Sequence, residues 1–424
     1  SMLYLTLTGR NDWASQLANS STSSFFYPSV GLSGVISEMI QMPSFIDYMK
    51  VRGSFSSVGM PYPRNLTSPT YEYNEATQSW KPKTHYPIGD LKPERTDSWE
   101  VGLDMKLFKD FNLGLSWYLA NTFNQTFDPQ ISVSSGYTTI YLQTGYVRNT
   151  GLELSLGYGH TWNNNFRWDS NFTLSHNKNK IKELVRDYVH PETGELINKD
   201  RLDVGGLGKA RFILKEGGTL GDLYTQSDLK RDDNGMVDID PTGIVAIENN
   251  LPDIKLGSVF PKANLAWSNH FSWKGISLSA LFTARIGGIV YSATEAAMDQ
   301  YGVSERSALA RDNGGVLVNN RTLVDAQNYY TTIGSESGLP QYYTYNATNV
   351  RLQEASIGYL IPRKWLGNVC DIQVSVIGRN LWMIYNKAPF DPESVATTDN
   401  YYQGIDYFML PSTRNIGFNV KINF

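Results

Sequence analysis

The 424-residue chain contains one cysteine, Cys370, and only five histidines. A single cysteine excludes an internal disulfide and any paired-cysteine metal or redox site. The histidines lie far apart, without HxH or HExxH spacing, so the sequence gives no sign of a metal centre or of a histidine-based acid–base pair. We therefore expect no enzymatic activity, no cofactor and no bound metal. The five histidines are His85, His160, His176, His190 and His270.

Long hydrophobic runs and dense charge are also missing. No stretch of about 18 apolar residues occurs, which argues against a membrane-spanning helix but leaves a membrane barrel open. Charged residues make up 18% of the chain and the net charge is -4, with lysine and arginine scattered, so a nucleic-acid footprint is not visible. The opening residues, SMLYLTLTG, lack the pattern of a signal peptide and have that of a strand.

The chain is instead rich in aromatic residues and in segments where polar and apolar residues alternate. Aromatic residues make up 13% of it, with 26 tyrosines and 10 tryptophans, and such residues favour strands. In STRNIGFNVKINF, polar and apolar residues alternate from Asn415 to Phe424. Because side chains of a strand point alternately to opposite faces, this segment has one apolar and one polar face. Such a strand fits a soluble sheet or a membrane barrel with lipid outside and water inside.

The same alternation recurs along the whole chain. In WEVGLDMKL, Trp99, Val101 and Leu103 fall on one face, and Glu100 and Asp104 fall on the other. With the final segment, about twelve such segments predict an all-β, antiparallel fold. The other segments are LYLTLTG, YPSVGLSGVIS, VRGSFSSVG, NLGLSWYL, GLELSLGY, WDSNFTLSHN, KANLAWSN, ISLSALFTA, LQEASIGYLI and IQVSVIGRNLW.

Short and long connections alternate between these predicted strands. Short connections lie around Lys109, at Asn163 to Asn165 and at His270 to Gly275. From the fourth strand onward the alternation is strict, so all the long loops fall on one side of the sheet. Outer-membrane barrels are organised in this way, with short periplasmic turns and long extracellular loops. The long connections are Met60 to Thr96, Asn121 to Gly145, Asn177 to Lys255, Arg285 to Asn349 and Asn386 to Pro411.

Aromatic residues gather near the short turns. An interfacial girdle of a membrane barrel places aromatic side chains at this level, although the exposed edges of a soluble core would do so too. The residues are Phe108, Phe111, Trp162, Trp168, Trp267, Trp273 and Trp365. Together with the loop pattern, they favour a transmembrane β-barrel over a soluble sandwich.

Several segments resemble SusC/RagA-type TonB-dependent transporters. LKPERTDSWEVGLDMKLF, Leu91 to Phe108, is similar to the family segment that leads from an extracellular loop into a barrel strand. Further stretches resemble the family in the family's order, and together they cover nearly the whole chain. They are YLTLTGRNDWASQL, FFYPSVGLS, GYVRNTGLELSLGY, VRLQEASIGYLIPRKWL, VSVIGRNLW and FDPE.

The resemblance implies a fold and a function. Family members are 22-stranded barrels of the Gram-negative outer membrane, closed by an amino-terminal plug. They import oligosaccharides or peptides as nutrients, work with a SusD-like surface lipoprotein and draw energy through TonB. Residues 1–424 would then be the carboxy-terminal portion of one barrel, about twelve strands without the plug. It would pair with the remaining strands and plug and be surrounded by outer-membrane lipid, and Phe424 would mark the end read by the assembly machinery.

Aromatic residues in the long loops are the candidate contacts for cargo or for the lid protein. They lie in YNEATQSW, QYYTYN and DNYYQGIDYF, which mix tyrosine and tryptophan with polar residues that bind sugars or peptide backbone. The alternative is that these side chains pack loop against loop. The candidates are Tyr73, Trp80, Tyr342, Tyr343, Tyr401 and Tyr402.

The acidic segment RDDNGMVDIDPTG, Arg231 to Gly243, has two interpretations. Asp232, Asn234, Asp238 and Asp240 offer oxygen ligands for calcium, but their spacing does not fit an EF-hand, and Asn-Gly favours a plain turn. Two other function classes remain as alternatives to the importer. One is a non-transporting outer-membrane barrel that serves as an adhesin or scaffold, and the other is a soluble β-rich glycan-binding protein.

Overall fold

A computed structural model describes most of the chain. The described residues are 2–17, 20–60, 71–81, 85–86, 92–127, 137–162, 165–189, 194, 196–367, 369–398 and 402–423. Tyr401, His190 and Phe424, which enter the sequence-based predictions, lie outside these residues, as do Asn163 and Asn164.

Twelve long strands form one sheet in which neighbours along the chain are neighbours in space. All eleven pairings between them are antiparallel, which confirms the predicted fold class and strand number. The strands are β1 (Leu3–Trp13), β2 (Ser24–Val35), β3 (Ile46–Met60), β4 (Glu94–Leu107), β5 (Phe111–Phe127), β6 (Leu142–Thr161), β7 (Arg167–Glu183), β8 (Ala263–Trp273), β9 (Ile276–Ile286), β10 (Asn349–Ile361), β11 (Asp371–Asn386) and β12 (Asn415–Asn423).

The cross-strand register gives the sheet two chemically different faces. Leu103 lies opposite Leu115, which lies opposite Leu154, which in turn lies opposite Leu174. Because aligned residues share a face, these leucines belong to one apolar face that extends across the sheet. The adjacent positions, including Asp104, form the polar face. On the apolar face Trp99 is 54% exposed and Val376 is 49% exposed, so the described residues leave this face uncovered.

Connections between the strands alternate in length from β3 onward. Turns such as the two residues between β8 and β9 lie on one side, and long loops such as that between β7 and β8 lie on the other. The predicted loop bounds were too wide in two places, because β5 continues to Phe127 and β7 continues to Glu183. The loop before β8 also ends later than Lys255, the predicted bound, since Ile254–Ser258 belongs to a separate small sheet. The predicted strand KANLAWSN itself matches β8, which begins at Ala263.

A row of aromatic rings runs along the short-turn side of the apolar face. Ring centroids of Phe111 and Tyr158 lie 4.7 Å apart, those of Tyr158 and Trp168 lie 5.2 Å apart, and those of Trp168 and Phe271 lie 5.9 Å apart. We call these four residues the aromatic belt. Trp267 is an exception to the predicted girdle, because it lies opposite Phe172 and Phe282 within the strands rather than beside a turn.

The long loops contain their own secondary structure. Serine or aspartate side chains cap the helices α2 to α4: Ser292 accepts from the Glu295 amide, Ser304 from the Ser307 amide, and Asp325 from the Asn328 amide. The helices are α1 (Ile36–Met39), α2 (Ala293–Gln300), α3 (Glu305–Asp312) and α4 (Ala326–Gly334), with 3₁₀ turns at Ser15–Leu17, Ser335–Ser337, Pro340–Tyr342 and Arg363–Leu366.

Small sheets complete the loops. The largest has four strands, Arg201–Leu207, Ala210–Lys215, Asp222–Thr225 and Ile254–Ser258. A three-stranded sheet joins Ile289–Ser292 to Thr344–Asn346 and Ile405–Asp406. The paired segments are Glu72–Asn74 with Ser79–Lys81, His85–Tyr86 with Thr139–Ile140, Val185–Val189 with Leu196–Lys199, Asp228–Leu229 with Ile247–Glu248, and Val316–Val318 with Thr322–Val324.

The main hydrophobic core lies among the loops and not within the sheet. Side chains from four long loops and the strand ends beside them meet in one buried cluster, which we call the loop core. Representative members are Phe127, Leu184, Phe212, Tyr291 and Ile405, which are at most 2% exposed. Among the described residues, no helix has the length and apolar character needed to cross a membrane.

Candidate functional site

The polar face of the sheet surrounds a cavity of about 790 Å³. Asp104 and Glu153 contribute carboxylates to its lining, Arg285 contributes a cation, and Gln353 and several serines contribute neutral polar groups. Apart from Glu393, the lining residues come from strands β4 to β10, because alternate residues of each strand point to this face. The cavity therefore offers a wet, hydrogen-bonding surface to a polar molecule.

The loop between β11 and β12 is attached to the polar face by a buried arginine. The Arg351 guanidinium donates to both oxygens of Asp391 at 2.8 and 3.2 Å, and its Nη2 lies 3.2 Å from Glu393. The Arg351 side chain is only 5% exposed. Bidentate pairing of this kind fixes geometry as well as charge. The FDPE segment, Phe390 to Glu393, is thus held against β10 at the edge of the cavity.

The hydrogen bonds around Asp391 keep its carboxyl group ionised. Burial by itself would raise the pKa of this carboxyl, but the hydrogen bonds from Arg351 and from the Glu393 amide outweigh burial and hold the pKa below its usual range. Asp391 therefore stays ionised and keeps the arginine paired.

A buried polar cluster organises the loop between β9 and β10. Asp299, which is 1% exposed, accepts hydrogen bonds from Ser304 Oγ at 2.5 Å, Arg306 Nε at 2.8 Å and Tyr343 Oη at 2.9 Å. The Arg306 guanidinium also lies over the Tyr343 ring, 4.9 Å from its centroid. Helices α2 and α3 and the residues before β10 are joined by this cluster.

Two of the predicted contact residues, Tyr342 and Tyr343, lie side by side but face inward. Tyr343 has no exposed surface, and burial raises the pKa of its hydroxyl. Tyr342 is half-buried against the loop core, and burial raises its pKa as well. The preceding Gln341 donates to Ser227 O at 3.1 Å and to Asp228 Oδ1 at 2.6 Å. Tyr343 thus packs one loop against another, and Tyr342 lies at the edge of this contact between loops.

Tyr73 and Trp80 lie at a different place, opposite each other in a short hairpin. Their ring centroids are 5.0 Å apart, and the two residues remain 46% and 65% exposed. Asn74 closes the turn by accepting from the amides of Ala76 and Thr77. The hairpin therefore presents a pair of aromatic side chains to its surroundings.

Tyr402 connects two loops and is still 41% exposed. Its ring packs beside Phe212, with centroids 6.3 Å apart. Its hydroxyl lies so close to Gly205 that a Cβ at that position would come within 2.6 Å of it. Glycine is required there for a second reason, since its φ is +112°. Tyr401, the remaining candidate, lies outside the described residues.

The acidic segment forms two copies of one turn, eight residues apart. Asp232 Oδ1 accepts from the amides of Asn234 and Met236, and Asp240 Oδ1 accepts from the amides of Thr242 and Ile244. These carboxylates serve backbone donors, as expected for a turn. In the part of the chain that the structure describes, no group of three or more His, Cys, Asp and Glu side chains is arranged to hold a metal ion.

Some of the charged residues at or near the cavity were not predicted from the sequence. Arg285, Arg351 and Glu393 are separated by long loops, and none belongs to a recognisable motif for binding. The only available signal was the pair of carboxylates in FDPE, which had no visible partner in the sequence. Cross-strand register, and not sequence proximity, brings Arg351 close to Arg285.

These features define a class of protein: an antiparallel membrane barrel whose strands carry apolar residues outward and polar residues inward, with structured loops at one end. A scan of family models identifies it more closely. Residues 2–348 match the family described as "TonB dependent receptor-like, beta-barrel". The chain belongs to this family, whose members are receptors and transporters of the outer membrane.

Individual relatives agree with the family assignment. TonB-dependent receptor P3 of Formosa agariphila is 24% identical over 98% of this chain and 44% of its own length. TonB-dependent receptor P26 of the same organism is 24% identical over 99% of this chain and 44% of its own length. The chain thus spans less than half the length of these curated relatives.

Solved structures show the same fold. The RagAB peptide importer in its closed-closed state superposes with a TM-score of 0.73 at 19% identity, covering 100% of this chain and 46% of the solved chain. Its open-open state gives a TM-score of 0.71 at 18% identity, with 45% of the solved chain covered. The comparison supports the fold predicted from the SusC/RagA resemblance.

Proposed function

We propose that residues 1–424 form the carboxy-terminal portion of one outer-membrane barrel that imports oligosaccharides or peptides. The observation that carries this proposal is the two-faced sheet. Its apolar face suits lipid, and its polar face surrounds a cavity that suits a hydrated polar cargo. The chain itself is a transport component and carries no catalytic role in this proposal.

The remaining strands and the plug of the same transporter are the partners of the two sheet edges. Among the described residues, β1 and β12 are each paired on one side only. Unpaired strand edges inside a bilayer are costly because their backbone groups lack hydrogen bonds. TonB would act through the plug portion, as the SusC/RagA resemblance implies.

The long loops face outward in this proposal and meet a SusD-like lipoprotein or the cargo. Tyr73, Trp80 and Tyr402 support it, because each combines aromatic surface with exposure. Tyr401 belongs to the same predicted surface, and Tyr342 contributes to it only the part of its side chain that the loop core leaves uncovered. Large aromatic side chains stack on sugars and dominate contacts with protein partners. The RagAB structure is described as a peptide importer, so a peptide and an oligosaccharide are the two cargo classes to compare.

Uptake by cells tests the proposal. A strain that lacks the full-length gene is compared with the same strain carrying it, using a fluorescent peptide library and a fluorescent oligosaccharide library. We expect the complemented strain to take up one library, and we expect uptake to stop when TonB is deleted. Equal uptake with and without the gene, or uptake that persists without TonB, would contradict the proposal.

Extraction provides an independent check of the membrane placement. The full-length protein should partition with outer membranes and require detergent to stay monodisperse. A monodisperse protein in aqueous buffer without detergent would exclude the barrel's placement in lipid, whatever the uptake assay shows.

A further inference from the structure

Four cations lie together on the outside of strands β6 and β7. In SHNKNKIKE, Lys178, Lys180 and Lys182 alternate with Asn177 and Asn179. The two asparagines lie on the polar face, where both donate to Asn149 at 3.2 and 3.0 Å. The lysines therefore lie on the other face, in line with Leu174. Strand β6 adds the fourth cation, because Arg148 lies directly opposite Lys180.

We call Arg148, Lys178, Lys180 and Lys182 the basic strip. Its three lysines are exposed, and Arg148 is half-buried. The charged groups that act on Lys182 are the other three members of the strip, so the cations repel one another. Among the described residues, no carboxylate forms an ion pair with any of the four. Arg148 is instead positioned by neutral partners, since its Nε donates to Asn121 Oδ1 at 2.9 Å.

The strip begins at a defined height above the aromatic belt. Lys178 is the tenth residue after Trp168, and Arg148 is the tenth residue before Tyr158. A strand rises about 3.3 Å per residue and barrel strands tilt by about 35–45°, so ten residues climb about 25 Å. The apolar band of an outer-membrane barrel is also about 25 Å tall. Lys178 and Arg148 therefore lie at its far boundary.

Lys180 and Lys182 continue beyond that boundary, by about 5 and 10 Å on the same geometry. This is the zone of lipid headgroups, where an unpaired row of cations finds its counter-charge in phosphate. Lysine and arginine bind phosphate by charge-assisted hydrogen bonds, and basic clusters next to a membrane segment bind anionic headgroups. The exposure of the basic strip, its lack of ion-paired carboxylates among the described residues and its height on the barrel thus all indicate a lipid phosphate as its partner.

We propose that the basic strip binds the phosphate groups of lipid A-type saccharolipid in the outer leaflet. The inference rests on the proposed function, which puts the long loops, and hence this end of β6 and β7, at the outer surface. It assigns to the barrel exterior a lipid site separate from the cavity and from the aromatic loop residues.

Lipid binding by the full-length protein tests this inference. The protein is purified in detergent, stripped of lipid and titrated with bis-phosphorylated lipid A or with the same lipid after removal of its phosphates. We expect wild type to prefer the phosphorylated form. Lys178→Gln, Lys180→Gln and Lys182→Gln combined should weaken that binding by up to about 100-fold, because each basic residue near a membrane surface adds about 1 kcal/mol.

Two further variants distinguish the effect of the basic strip from the effect of the protein's total positive charge. Lys106→Gln, Lys199→Gln and Lys387→Gln combined remove the same charge from exposed positions elsewhere, and this control should bind as wild type does. A triple lysine-to-arginine variant of the strip should keep the preference, since arginine also pairs with phosphate.

Three results would overturn the inference. One is a wild-type protein that binds both lipids equally. Another is a control variant that loses as much binding as the strip variant. The third is displacement of the lipid by inorganic phosphate alone, which would make the strip a site for free anions. Outer-membrane fractionation and uptake are measured on the same variants, so a failure of the proposed function is recognised separately.

Discussion

In the sheet, Trp99, Val101 and Leu278 are 54%, 53% and 48% exposed, whereas in the loops Phe212, Leu214 and Tyr343 are not exposed at all. The two regions belong to one chain but place apolar side chains in opposite ways. The sheet turns them outward and keeps Asp104 and Glu153 inside. The loops enclose them in a conventional core, because the loops meet water on their outer surface.

The two regions are therefore adapted to different solvents. A large exposed apolar face is favoured where the surrounding medium is itself apolar, whereas burial of an apolar cluster is driven by water outside it. The boundary between the two regions is visible on β7, where Leu174 is followed on the same face by His176 and Lys178.

The largest effect should come from placing a charge on the apolar face. We predict that Leu103→Arg destabilises the folded barrel by about 2 to 4 kcal/mol, the cost of a basic residue near the bilayer midplane. The measurement is the fraction of heat-modifiable, detergent-extracted full-length barrel. Val420→Lys should act in the same direction on β12.

Matched changes on the polar face provide the controls. Ser155→Arg places the same charge near Asp104, and Lys421→Ala removes a charge from the polar face of β12. Both should leave the amount of folded barrel nearly unchanged. Equal losses on the two faces would mean that their assignment to lipid and lumen is wrong.

A comparable but more local effect is expected in the loops. We predict that Asp299→Ala destabilises them by about 3 kcal/mol. Loss of one partner of a buried ion pair costs about 3 to 5 kcal/mol, and the Arg306 side chain that remains is 35% exposed, which favours the lower value. Limited proteolysis of the loops should accelerate while the barrel stays heat-modifiable.

Asp312→Ala is the matched control, because Asp312 is an exposed aspartate at the end of α3. Its proteolysis pattern should equal that of wild type. If Asp299→Ala unfolded the barrel as well, the sheet and the loop core would be a single cooperative unit.

An intermediate effect should appear with acid. Arg201 and Lys215 lie 2.6 and 2.9 Å from Asp253, and the hydrogen bond from Arg201 is the main cause of its lowered pKa. A lowered folded-state pKa contributes stability that is present above the unfolded value of about 4 and is lost as the pH falls below it. The stability of the loops to urea, measured by near-ultraviolet circular dichroism, should therefore decrease as the pH falls below about 4.

Asp253→Asn should remove that acid dependence and cost about 1 to 2 kcal/mol at neutral pH, since its cationic partners are partly exposed to solvent. Asp233→Asn, an exposed change in the same loop, should keep the wild-type profile. If the Asp253→Asn variant still lost stability in acid, the acid dependence would arise from other carboxylates.

The smallest structural effect should come from the exposed hairpin. We predict that Trp80→Ala leaves both regions folded but weakens cargo or lid-protein binding roughly 2- to 10-fold, as aromatic contacts contribute about 0.5 to 1.5 kcal/mol. Trp365 has the same 65% exposure at the short-turn side, so Trp365→Ala is the control. If the two variants bound equally well, the hairpin would not be part of the contact surface.

The sheet was predictable from the sequence because its signal is local. Alternation with a period of two identifies strands wherever apolar and polar faces contrast, as in WEVGLDMKL. The prediction failed where the contrast ends. Residues 178 to 182 of β7 alternate lysine with asparagine or isoleucine, so no apolar face marks them as strand.

The loop core and most of the site were not predictable for the opposite reason. Asp299 and Tyr343, or Phe212 and Tyr402, are joined across long separations without any period. Composition identified aromatic loop residues but not which ones are buried, so Tyr343 was grouped with Trp80 although their environments differ completely. Only the folded arrangement of the loops distinguishes them.

The loop core also limits how such a protein is re-engineered. Ile405 from one loop pairs with Tyr291 from another, and Tyr402 rests on Gly205 and Phe212 of a third. Grafting a single loop from a relative would leave the other loops facing a mismatched surface, with cavities or clashes in their shared interior. If the loops select the cargo, as proposed, a change of cargo preference would require all of these loops to be transplanted together.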